Sequence, residues 1–192
     1  FLMNLLLENK RQENLVNKSL EEKIEFFNII NEIISNDTVK KMKAYRQHCD
    51  TSCYEHCIHV AYYSYYIAKK FGLNYVSTAR AAMMHDLFLY DWRHSCKNKK
   101  ISELHAFAHP RIALKNASEL FDLNPLEQDI ILKHMWPVTI AFPKYRESYI
   151  VTFMDIYSAL KESYLYLMSN LRSKKIYKYA YIFLSLIIFR IV

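Results

Sequence analysis

The chain has 192 residues, enough for one domain with a substantial core and too few for two full-sized ones. Hydrophobic residues make up 52%, with one Gly and four Pro, a composition that lacks the punctuation of turn-rich β architectures and points to an all-α, single-domain helical bundle. The net charge of +7 reads first as a solvated basic surface and second as attraction for anionic substrates.

Residues 1–46 form an N-terminal helical cap. Within it, Asn4 to Ser35 carries Leu15, Ile24, Phe27, Ile30 and Ile34 among charged and polar residues, the spacing of an amphipathic helix. Ser35 to Thr38 breaks the chain, Val39 to Gln47 reads as a further helix, and His48 to Ser52 as a short loop.

From Ser52 a long helix runs to Phe71, closed by Gly72, with His56 in its first turns and His59 as a structural residue. The tyrosines from Tyr62 to Tyr66 line a core or groove; without basic residues interleaved they do not make a nucleic-acid platform, and neither DNA nor RNA is expected as a partner. Ser77 or Thr78 caps the next helix, which ends in the dipeptide His85-Asp86. Asp91 is a cap or a supporting base, and His94 to Lys100 an exposed basic loop. His105 and His109 share a helical face, yet no Glu follows His105, so H-E-x-x-H is ruled out. Pro110 suits the first turn of a helix over 111–120. The helix from Leu126 ends at His134, and Pro137 to Tyr145 is a loop. Glu147 to Tyr164 is the last core helix and carries Asp155 between Met154 and Ile156, an apolar setting in which a carboxylate is costly unless paired or metal-bound.

Cys49, Cys53, Cys57 and Cys96 fit neither a zinc ribbon nor a disulfide framework and read as free thiols of a cytoplasmic protein. The opening F-L-M-N-L-L-L lacks the basic region and cleavage site of a signal peptide. In the tail, 166–192, the uncharged run Tyr179 to Phe189 is shorter than the roughly twenty residues that span a bilayer; it reads as a packed terminal helix, with contact to a membrane surface as the second reading.

Taken together, His56, His85-Asp86, His109, His134 and Asp155 resemble the metal-dependent phosphohydrolases of the HD-domain superfamily, over a core of residues 47–165. The resemblance implies a helical bundle of the HD-domain type that binds one or two divalent ions, Fe, Mn, Zn, Co or Ni, the choices that imidazole and carboxylate donors allow. It implies His56, His85, Asp86 and Asp155 around one ion, and Asp86, His109 and His134 around the other. Asp86 is then the bridging, catalytic ligand, and a water activated by the metal attacks a phosphomonoester, phosphodiester or nucleotide phosphoanhydride. The expected partner is thus a small phosphorylated substrate, with nucleotides as one of its classes. Lys144 and Arg146 are candidates for holding its phosphate. The G-Y-P signature of cyclic-dinucleotide phosphodiesterases is missing after His134, and T-S-C-Y-E-H-C, H-D-L-F-L-Y-D-W and K-H-M-W-P are similar to a bacterial group of HD proteins. A non-catalytic or membrane-associated metal-binding regulator is the alternative reading.

Overall fold

The computed structural model describes residues 2–48, 50–91 and 105–173. Seven α-helices, one 3-10 turn and a two-stranded hairpin occur among them, an all-α fold. The loop around His94 and the run from Tyr179 to Phe189 lie outside the described residues, as does Cys96. No helix among the described residues is long and apolar enough to cross a membrane.

Helix α1, Leu2–Ser35, docks through Phe26, Ile30 and Ile33, all fully buried, whereas Ile24 and Phe27 are about half exposed. The expected stripe of Ile24, Phe27, Ile30 and Ile34 is thus rotated on the helix. Apolar residues occupy two overlapping sets of helical positions here, and only the neighbouring helices decide which set is covered.

Two other expectations fail next to α1. Instead of a helix over 39–47, α2 covers Asp37–Lys40 and a 3-10 turn covers Lys41–Ala44. Only Val39 and Met42 are buried in these two turns, too little packing to sustain a longer helix. The expected loop is a hairpin: β1, Arg46–His48, pairs antiparallel with β2, Thr51–Ser52. The hairpin brings Gln47 against Asp86.

Helix α3, Cys53–Lys70, starts in a capping box: Ser52 Oγ accepts from the Glu55 backbone N–H, and Glu55 accepts from that of Ser52. It ends where Gly72, at φ 66°, lets the Leu73 N–H reach the Ala68 carbonyl and the Gly72 N–H reach that of Lys69. Only Leu73 separates this turn from the next cap, Asn74, so α4 spans Tyr75–Met84. The cap is Asn74, whose Oδ1 accepts from the Ser77 N–H at 3.1 Å, and not Ser77 or Thr78.

Helix α4 is the centre of the bundle. Ala79, Ala81, Ala82, Met83 and Met84 are fully buried, and the helix meets α1, α3 and three later helices. These are α5, His105–Leu120, α6, Pro125–Lys133, and α7, Arg146–Ser173. Pro110 lies inside α5, which begins six residues before the expected start at Arg111. The small side chains of α4 let its neighbours approach closely, so the chain leaves this helix in the middle of the protein. The two residues after Met84, His85 and Asp86, are therefore buried.

Candidate metal centre

His85 and His134 each terminate a helix, as C-caps of α4 and α6. Each donates its Nδ1–H to the carbonyl three residues back, His85 to Ala82 at 2.7 Å and His134 to Ile131 at 2.8 Å. A carbonyl only accepts, so each ring in its neutral form is fixed with a lone pair on Nε2, the tautomer a metal needs. His56 is held differently. Its Nδ1 lies 3.1 Å from Glu162 Oε2 and its Nε2 lies 2.9 Å from Asp155 Oδ1, both partners coming from α7.

Asp86 stands between two groups of side chains. Its Oδ2 is 3.5 Å from His85 Nε2 and accepts from Gln47 Nε2 at 2.5 Å. Its Oδ1 is 3.2 Å from His109 Nε2 and 3.6 Å from His134 Nε2, and those two ring nitrogens are 2.8 Å apart. His85 Nε2 in turn reaches 3.8 Å from Asp155 Oδ1. The six residues singled out as ligands therefore converge, from α3, α4, α5, α6 and α7, on one place.

Burial sharpens the electrostatics. Burial works against a charged His56 ring, yet hydrogen bonds to Asp155 and Glu162 lift its pKa well above the ordinary histidine value. Burial also opposes charge on His85, and there the Asp86 carboxylate wins and the pKa again rises well above the ordinary value. Burial, with the His109 and His85 rings beside it, pushes His134 down to about 3. For both aspartates burial favours the neutral acid and is outweighed: His85 and His109 hold Asp86 far below the usual carboxylate range, and His56 and His85 do the same for Asp155. Such a site is a cluster of negative and proton-holding donors, in which a cation can take the place of the protons.

The donor set fits a divalent ion. His85 Nε2 and Asp86 Oδ1 are buried and make no hydrogen bond of proper geometry, an unfavourable state for polar atoms unless something is bound. Ligand atoms of His56, His85 and Asp155 lie within 4.8 Å of one another, and so do those of His85, Asp86 and His134. The side chains of His56, His85, Asp86, His109 and His134 are at most 4% exposed, against 17% for Asp155, so the centre meets solvent on the Asp155 side. Ile156, expected to wall Asp155 in, is 46% exposed on another face of α7.

Lys144 and Arg146 lie in the segment that leads from α6 into the start of α7. Both side chains are exposed and neither pairs with a carboxylate among the described residues, while the Lys144 backbone N–H bonds Asp129 Oδ2 at 2.9 Å. A cavity of 330 Å³ is lined by Phe107, Pro110, Arg111, Leu132 and Ile140 and by none of the six converging residues. Phe107 and Arg111 are each two residues from His109, and Leu132 two from His134, so they project to the opposite sides of α5 and α6.

Sequence reasoning missed two residues. Glu162, nearly buried, holds His56 and also accepts from the half-exposed His59 Nδ1 at 3.0 Å. Its position seven residues after Asp155, two turns on along the same face, was the available signal. Gln47 carried no signal, because its place depends on the hairpin. The cysteines of α3 are structural: Cys53 and Cys57 are buried free thiols, and Cys53 donates to the Asp86 carbonyl at 3.3 Å.

Neither the curated proteins nor the solved structures contain a match to this chain. Residues 53–160, more than half of the sequence, match the HD domain family. That stretch runs from the first turn of α3 into α7 and contains all six converging side chains. The chain belongs to the HD domain family, a superfamily of metal-dependent phosphohydrolases.

Proposed function

We propose that this protein hydrolyses a phosphomonoester, a phosphodiester or a nucleotide phosphoanhydride at the centre around Asp86. The observation that carries this reading is the division of Asp86: one carboxylate oxygen faces His85, the other faces His109 and His134. A carboxylate placed in this way suits two neighbouring cations. His56, His85, Asp86 and Asp155 would hold one, and Asp86, His109 and His134 the other. Divalent ions bound there would lower the pKa of a water and stabilise the charge growing on phosphoryl oxygens.

The protein's own groups do the rest. His85 and His134 keep their Nε2 lone pairs aimed inward through the bonds to Ala82 and Ile131. Glu162 fixes the orientation of His56, and Gln47 fixes that of Asp86. Asp155, the most open of the six, marks the side from which substrate and water arrive. Lys144 and Arg146, exposed cations with no carboxylate partner among the described residues, are available to hold a phosphate that reaches the loop between α6 and α7.

The test is a hydrolysis screen. Metal-stripped protein is offered phosphomonoesters, phosphodiesters and nucleotides with Mn, Fe, Co, Ni or Zn restored one at a time. Phosphate or nucleotide release that requires the metal supports the reading; a metal-loaded protein that cleaves none of the three classes overturns it.

A further inference from the structure

Helix α7 has a second face that the bundle leaves largely exposed. Ile150, Phe153, Tyr157, Leu160, Tyr164 and Leu167 are separated by steps of three, four, three, four and three residues, the spacing of a coiled-coil seam. From Phe153 onward, all five are 48–66% exposed. Asp155 and Glu162 lie opposite this seam, so one face of α7 serves the metal centre; on the other, Tyr157 meets the edge of the Tyr63 ring at 5.4 Å and the seam from Phe153 onward stays about half exposed or more. An apolar stripe of this length that the bundle leaves largely exposed is expected to have a partner of its own.

We infer that the second partner is another copy of this chain, paired through α7 about a two-fold axis near Leu160. Leu160 sits midway along the exposed seam, and the series Phe153, Tyr157, Leu160, Tyr164, Leu167 puts aromatic and aliphatic residues about it in almost the same order in either direction. A self-complementary patch of this kind is what an isologous contact requires. No charge interrupts the seam. Of its flanking positions, Met154, Ile156, Lys161, Ser163, Met168 and Asn170, only Lys161 is charged, and its Nζ already donates to Tyr63 Oη at 2.7 Å. Two copies therefore bring no rows of like charge together. With Ile156, the exposed seam offers on the order of 600 Å² of side chain per copy, or about 1,200 Å² for a symmetric pair, within the range of specific interfaces.

The experiment is sedimentation of the full chain at micromolar concentration, with Leu160→Lys alongside. The wild type is expected at about 46 kDa, twice the 23.0 kDa of one chain, and the variant at 23.0 kDa with unchanged helical content and metal content. Because Leu160 is 66% exposed, lysine fits there without disturbing the fold; Tyr164→Glu repeats the test on the next turn. A wild-type monomer overturns the inference. Flotation of that monomer with vesicles of phosphatidylcholine and phosphatidylglycerol would assign the seam to a lipid surface instead, and no flotation would assign it to the chain itself. A dimer that survives both substitutions places the interface elsewhere and also overturns the inference.

Discussion

Glu162 Oε2 lies 3.1 Å from His56 Nδ1, across the contact between α7 and α3, and the same helix supplies Asp155 to the other side of the ring. The imidazole is gripped at both nitrogens by one rigid element. Glu162→Gln keeps the shape and removes the charge that fixes the His56 tautomer. It is expected to weaken metal binding by about ten- to a hundred-fold with helical content unchanged. Metal titration of the stripped variant checks this, and wild-type affinity would leave Glu162 without a part in the centre.

The raised pKa values of His56 and His85 imply a pH dependence. Both exceed the ordinary histidine value, so both rings hold an extra proton at neutral pH when no metal is bound. Filling the centre requires the Nε2 lone pair of each ring, and those protons must leave. Metal affinity should therefore rise with pH through the neutral range, and calorimetric heats should vary with the ionisation enthalpy of the buffer. An affinity that stays flat from about pH 6 to 8 contradicts this proton displacement.

His109 and His134 meet each other and Asp86 Oδ1, away from His56. His109→Ala and His134→Ala are each expected to lower the metal count from two towards one. Native protein that never binds more than one equivalent would remove the second ion and leave the first.

The six converging residues were legible because their order, with the paired His85-Asp86 at its centre, resembles the HD-domain pattern, and because α3, α4, α6 and α7 announce themselves by periodicity. His85 and His134 could be placed at helix ends from sequence alone. Their shared Nδ1 bond to the carbonyl three residues back could not, since it depends on ring orientation. Glu162 was hidden by its type: a glutamate on a helix is usually a solvated charge, and only the packing of α7 on α3 makes it a buried one. Gln47 was hidden by the hairpin, whose strands of three and two residues are too short to show alternation. The docking face of α1 was misplaced because Ile24 and Phe27 compete with Phe26 and Ile33 for the same local pattern, and the choice is tertiary.

Lys144→Ala combined with Arg146→Ala tests the proposed phosphate contact. Both side chains are exposed and free of ion pairs among the described residues, so their removal should not disturb the fold. Charge-assisted contacts contribute about 1.5–3 kcal/mol each, so losing even one should raise KM roughly ten-fold or more at constant metal loading. Unchanged KM and kcat on the substrate found in the screen would leave both residues as surface charges.

The most direct measurement is the metal content of purified Asp86→Ala beside that of the wild type, with circular dichroism on the same samples. Asp86 faces both halves of the centre, while the bundle is held by the packing of α4 against its neighbours. Loss of bound metal with helical content preserved is the expected result. Metal retained at wild-type stoichiometry by the folded variant would contradict a centre built around Asp86.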